Sequence, residues 1–181
     1  MKKKLIVNCD GLCEPVNPAG IACYGFVVKQ DRGKVLYADH GLVSSLKPFF
    51  PESNSNAAEY GSVIEAMKWL VKKGYVDNNG DYQILIRGDC QVIMRKLNSI
   101  NYSSRAAIIN PLYDGAVRLR SMFSPDVLTF EWIKRDQNIV ADKLAKEGYY
   151  WVLRKYPKLQ KRVREHWVSM LWLEQMMYIN V

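Results

Sequence analysis

Two short stretches, KLIVNCD at residues 4–10 and YQILIRGD at residues 82–89, decide how this chain folds. Each is a run of apolar and β-branched residues too short for a buried helix, and each ends on an aspartate. They are expected to be strands lying side by side in a parallel pair, with Asp10 and Asp89 at their carboxyl ends. In an open α/β sheet that end faces the crevice where binding sites form. Working outward, Ile21–Lys29 reads as a second strand and Lys34–Val43 as a third. The turn signal DRG at 31–33 joins these two as an antiparallel hairpin. Residues 44–56, with two prolines and several turn formers, are a loop. From Ala57 the apolar residues Val63, Ile64, Met67, Leu70 and Val71 recur at helical spacing until Gly74. After the loop VDNNGD (76–81) and the strand ending at Asp89, helices are expected over about 90–97 and about 106–123. Pro111 falls in the first turns of the latter or at a kink. Val127–Ile133 forms a fifth strand, and 139–150 is helical. Three strands, a helix, a strand, one or two helices, a strand and a helix imply an α/β protein: one mixed sheet with helices on its faces.

The chain has 181 residues, 49% of them apolar, which suffices for one domain with a core of its own. No apolar run approaches the length of a membrane span. The opening MKKKLIVNCDG is interrupted by Asn8 and Asp10, unlike a signal peptide, so a cytoplasmic protein without membrane attachment is expected. The four cysteines (Cys9, Cys13, Cys23, Cys90) include no CxxC pair and the two histidines lie far apart, which argues against zinc. Reduced, largely buried thiols are expected instead. The net charge of +8 favours a polyanionic partner, nucleic acid before an acidic membrane surface. Half of that excess lies in residues 150–181, where six Lys or Arg face Glu165 and Glu174.

Taken singly, the acids have ordinary structural explanations. Asp10 closes a strand, Asp89 could cap the helix after it, and Glu59 and Asp142 sit in the first turns of helices, where the dipole favours negative charge. Together they say more. Two strand ends and two helix starts can meet at one sheet edge, and four gathered carboxylates repel unless hard cations separate them. Two such ions roughly 3.5 to 4 Å apart suit phosphodiester hydrolysis. The motifs of competing chemistries (GxxxxGK followed by Ser or Thr, GxGxxG, HExxH, GxSxG) are absent from the sequence.

At these residues the chain resembles type 1 ribonuclease H over almost all of residues 4–149. The pieces are VNCDGLCEPVNPAGIACYGFVV around Asp10, NSNAAEYGSVIEAM around Glu59, LIRGDCQVIMRKL around Asp89 and WIKRDQNIVADKLAKEG around Asp142, in the family's order. The resemblance implies a ribonuclease H-like, five-stranded mixed sheet of order 3-2-1-4-5 flanked by helices. It implies two Mg²⁺ ions, or Mn²⁺, held by Asp10, Glu59, Asp89 and Asp142, and endonucleolytic cleavage of the RNA strand of RNA–DNA hybrids to 5′-phosphate and 3′-hydroxyl ends. It also matches Gly11, Cys13, Asn17 and Asn56 to substrate contacts. An Asn amide can both donate to and accept from a ribose 2′-hydroxyl.

The chain departs from the pattern of many members in offering Arg135, as the archaeal-like branch does, where they carry a loop histidine. An arginine stays protonated, so Arg135 would act by charge on the scissile phosphate or the departing product. The expected organisation is a catalytic domain at 1–149 and a basic, partly apolar helical extension at 150–181, interrupted near Pro157. That extension would grip nucleic acid or pack Trp167, Leu171, Leu173 and Met176 on the body or on a second subunit. Two alternatives stand beside hybrid cleavage: a nuclease of the same fold acting on double-stranded RNA or DNA, and a non-catalytic hybrid-binding module.

Overall fold

The computed structural model describes residues 3–30, 33–76, 82–99, 111–124 and 126–179, with side chains to residue 169. Its elements are β1 (Lys3–Glu14), β2 (Ile21–Gln30), β3 (Val35–Leu42), α1 (Ser55–Lys72), β4 (Tyr82–Gly88), α2 (Gln91–Asn98), α3 (Pro111–Arg120), β5 (Leu128–Trp132), α4 (Ile139–Lys155) and α5 (Pro157–Ile179). A 3₁₀ turn, Arg135–Gln137, precedes α4. The sheet order is β3-β2-β1-β4-β5, as expected. β1 pairs antiparallel with β2 and parallel with β4, β2 antiparallel with β3, and β4 parallel with β5.

The pleat of β1 assigns the helices to faces. Leu5, Val7 and Cys9 point into the main core with α1 residues such as Val63 and Met67, and α2 and α3 join that core. The alternate residues face α4, which lies across β1, β2 and β3. A smaller cluster of Ile21, Cys23, Tyr149, Val152 and Val163 then ties the start of α5 to β2 and α4. Cys9, Cys13 and Cys23 are buried, and all four cysteines are free thiols. No helix among the described residues is long and apolar enough to cross a membrane.

Several boundaries differ from the expectations. β1 does not close at Asp10 but runs on to Glu14, because its ladder with β2 continues from Asp10↔Gly25 to Glu14↔Ile21. α1 starts at Ser55, since the Asn54 side chain accepts a hydrogen bond from Ala57 N (2.9 Å) and caps the helix. It ends at Lys72, and Gly74 (φ 76°) stops it as expected, with Tyr75 N bonded back to Leu70 O. α3 is described from Pro111, a residue suited to a first helical position, and the expected start at 106–110 lies outside the described residues. Residues 77–81, most of the VDNNGD loop, also lie outside. α4 continues to Lys155, and the break near Pro157 is where α5 begins.

Candidate active site

β1 and β4 create a step at the middle of the sheet. Their parallel pairing stops at Asn8↔Arg87, while β1 stays paired with β2 beyond it. Asp10 lies just past that step and is 5% exposed. β4 ends at Gly88, whose carbonyl accepts from Ile133 N (3.0 Å), and Asp89 follows immediately. Asp89 does not cap α2: Cys90 is the N-cap residue, and no side chain bonds there. Instead the Trp132 indole donates to the Asp89 carbonyl (3.0 Å), and the Asp89 carboxylate turns to the step. Glu59 comes from α1, one turn deeper than the first-turn position expected of it. Gly11 permits this approach. A methyl carbon there would lie 2.6 Å from the Ala58 carbonyl oxygen and closer still to Ala58 C and Glu59 N. One carboxylate oxygen from each of Asp10, Glu59 and Asp89 consequently lies within 4.8 Å of the other two.

Such a cluster is charge-strained. Burial, followed by the charges of Asp89 and Asp142 and a hydrogen bond with Asp89, pushes Asp10 up to about 7, with Arg135 pulling the other way. Burial and the Asp10 and Asp89 charges hold Glu59 well above the usual carboxylate range. A divalent cation among these carboxylates would offset the repulsion that raises them.

Asp142 stands beside this triad rather than inside it. It lies in the first turn of α4, as expected, and its two oxygens take Arg135 Nη2 (3.2 Å) and Lys146 Nζ (2.6 Å). Burial raises its carboxyl, but the bonds and charges of Lys146 and Arg135 outweigh that and leave it below its ordinary value. α4 reaches this position because Gly25, opposite Asp10, leaves room for Ala145; a methyl there would lie 2.6 Å from Leu144 C.

Two residues that the sequence did not single out also shape the site. Asn138 is 1% exposed; its Nδ2 donates to Cys9 O (2.8 Å) and reaches Asp89 Oδ1 (3.4 Å), while its Oδ1 accepts from Asn8 (3.2 Å). It locks β1, Asp89 and the start of α4 together. Its only signal in sequence was a capping residue before a helix, a role its side chain does not take. Lys146 was signalled by its four-residue spacing from Asp142.

The residues matched to substrate contacts divide. Asn17 and Asn56 are exposed and meet at the start of α1, where Asn17 Oδ1 accepts from Ser55 N (2.9 Å) and an open depression forms with Pro18, Pro51 and Asn54. Cys13 turns inward, and its thiol donates to the carbonyls of Val16 and Ser53 (both 3.4 Å). Any substrate contact there falls to its backbone. Gly11 is a packing residue first, for the reason given above.

An all-oxygen donor set, partly buried and overloaded with negative charge, fits a hard divalent cation and no soft one. An acidic triad astride the centre of a 3-2-1-4-5 sheet defines the ribonuclease H-like class. Known proteins narrow this further. The family described as reverse transcriptase-like matches residues 8–148, and the chain belongs to it. The solved type 1 structures are close in fold. The RNase H1 of the halophilic archaeon Halobacterium salinarum NRC-1 is 23% identical, with 81% of this chain and 97% of that one covered and a TM-score of 0.63. LC11-RNase H1, isolated from compost by a metagenomic approach, is 25% identical over 83% of this chain and 98% of that one, with a TM-score of 0.64. The same protein in complex with RNA/DNA hybrid gives 24% identity, coverage of 82% and 99%, and a TM-score of 0.66. The resemblance to type 1 ribonuclease H read from the sequence is borne out, and the chain is a ribonuclease H-type enzyme.

Proposed function

We propose that this protein is an endonuclease that hydrolyses the RNA strand of RNA–DNA hybrids, leaving 5′-phosphate and 3′-hydroxyl ends, with two Mg²⁺ ions (or Mn²⁺) as cofactor. The observation that carries this reading is the convergence of Asp10, Glu59 and Asp89 within 4.8 Å. A relative of this fold is known in complex with RNA/DNA hybrid, which supports the substrate. Asp10, Glu59 and Asp89 would hold one cation, and Asp142 would contribute to a second on leaving its pairs with Arg135 and Lys146. Bound there, the cations supply Lewis-acid activation of water and charge neutralisation at the phosphate.

The chain's own residues do the rest. Asp10 and Glu59, both held above the usual carboxylate range, would meet the cations as carboxylates. Asn138 fixes Asp89 against β1. The Asn17 and Asn56 amides at the head of α1 read the 2′-hydroxyl, with the backbone at Gly11 and Cys13 beside them. Arg135 is 75% exposed and always charged, so it meets the scissile phosphate or the departing product by charge and takes no proton. Residues 1–149 would form the catalytic domain and 150–181 an extension, acting in the cytoplasm.

The test is end-labelled RNA–DNA hybrid, RNA duplex and DNA duplex, each incubated with and without Mg²⁺. Cleavage confined to the RNA strand of the hybrid and dependent on Mg²⁺ is expected. Equal cleavage of the DNA duplex overturns the reading, and cleavage of the RNA duplex widens the substrate class. Asn56→Ala should weaken selection for ribose more than overall binding.

A further inference from the structure

Beside the acidic triad, α4 and α5 enclose a groove of ≈ 400 Å³ that the proposed chemistry does not use. Leu12 and Glu14 of β1, Lys146, Tyr150 and Leu153 of α4 and Trp167 of α5 are among its walls. It adjoins the site by two routes. Leu12 and Glu14 lie two and four residues beyond Asp10, about 7 and 13 Å along the strand at ~3.3 Å per residue. Lys146 lines the groove and also holds Asp142 at 2.6 Å.

Two large aromatic side chains in its walls are left open to solvent: Tyr150 is 59% exposed and Trp167 52% exposed. Single exposed aromatics are commonplace, but two from different helices lining one groove offer flat faces on which a planar ring can stack. The surrounding charge selects among planar ligands. Arg154 lies one turn beyond Tyr150 and Arg164 one turn before Trp167, both exposed, and exposed Lys158 and Lys161 continue the basic surface along α5. The acids nearby are Glu14, within the groove, and Glu147 and Glu165, the last within 3.8 Å of Lys161. Of the two charged residues in the groove wall, Lys146 is taken by Asp142, which leaves Glu14 to repel phosphate while its oxygens accept hydrogen bonds from amino groups. The basic surface outside attracts phosphate. A base inside and a backbone outside satisfy both.

We propose that this groove binds an unpaired nucleotide, so that the enzyme engages single-stranded extensions flanking the duplex it cuts. This rests on the nuclease reading for its biological setting but not for its test.

Full-length protein carrying Asp10→Asn, to silence cleavage, is titrated by fluorescence anisotropy with a blunt RNA–DNA hybrid. The titration is repeated with the same hybrid bearing RNA or DNA overhangs at either end, and with the single strands alone. Overhangs on at least one strand end should tighten binding about tenfold, the effect of a single stacked base. Tyr150→Ala with Trp167→Ala should remove that gain and the single-strand binding while leaving blunt-hybrid affinity unchanged. Trp167→Phe should retain it. An unchanged melting temperature shows that the double variant is folded, as the exposure of both residues leads us to expect. No gain from any overhang, or a gain that survives the double variant, overturns the proposal. So does a dimer in light scattering that the double variant dissociates, since the groove would then be a contact between two copies of this chain. Single-strand binding that depends on these aromatics, in a protein whose wild-type form leaves hybrid uncut, would retain the groove and reject the nuclease reading.

Discussion

Replacing Gly11 with alanine adds a single methyl group at the point where β1 and α1 touch. That carbon would stand 2.6 Å from the Ala58 carbonyl oxygen, against about 3.4 Å for ordinary contact, with Ala58 C and Glu59 N closer still. These are backbone atoms of a helix in the main core, so no side chain can swing aside. The helix must retreat by nearly an ångström or more, and Glu59 retreats with it. Overpacking of this kind costs about 1–3 kcal/mol, which for a chain of this length lowers the melting temperature by roughly 2–12 °C. A displacement on the order of 1 Å at a reacting group costs about a hundredfold in turnover. Gly11→Ala should therefore remain folded at room temperature, bind hybrid, and lose about two orders of magnitude in kcat with little change in KM. Calorimetric melting and steady-state cleavage of labelled hybrid measure both. Wild-type turnover together with an unchanged melting temperature would refute the argument that this glycine positions Glu59.

Further expectations follow from the electrostatics and the polar lock. Because Asp10 titrates near 3.8 when unfolded and about 7 in the fold, the folded state holds an extra proton between those values. Without divalent ions, stability should thus fall as pH rises from about 4 to 7, by up to about 4 kcal/mol, with Glu59 acting in the same direction. Mg²⁺ should reverse the trend and release protons on binding; melting in EDTA and in Mg²⁺ across this range checks it, and an apo-protein stabilised by rising pH contradicts it. Lys146→Met removes the 2.6 Å partner of Asp142 and should tighten divalent-ion binding in calorimetric titration about twofold to fivefold, as befits a half-exposed pair. Unchanged affinity would show that this pair does not hold Asp142 back. Asn138→Ala strands the Cys9 carbonyl and loosens Asp89, and should cost about 1–3 kcal/mol in denaturant unfolding; a surface-like loss of a few tenths would exclude the lock.

The sheet was legible in the sequence because its strands are marked by short apolar runs and its helices by periodicity and by breakers such as Gly74 and Pro157. Strand order came from the resemblance, since periodicity does not specify which strands neighbour one another. The reach of β1 past Asp10 was not legible: residues 11–14, GLCE, have no apolar alternation, and the ladder with β2 alone extends the strand. The triad was readable as four separate acids but not as three plus one. Which acid leaves the cluster depends on the Arg135 and Lys146 side chains closing on Asp142, a contact set by how Gly25 seats α4. The resemblance matched Cys13 to a substrate contact, yet its side chain turns inward to the Ser53 carbonyl. The tail divides as well. The residues expected to pack were Trp167, Leu171, Leu173 and Met176; Trp167 is exposed, the side chains of the other three lie outside the described residues, and it is Val163, which carried no such expectation, that packs into the body.

Whether the carboxylate triad cuts RNA paired with DNA is decided by comparing wild-type protein with Asp10→Asn on an end-labelled hybrid in Mg²⁺. On that assignment wild type should cleave only the RNA strand, while Asp10→Asn should bind the hybrid with near wild-type affinity and stay folded, because the change removes a charge from an overloaded cluster. Its cleavage rate should fall to background. Cleavage by Asp10→Asn at the wild-type rate, or a folded, Mg²⁺-loaded wild type that leaves the hybrid intact, would contradict it.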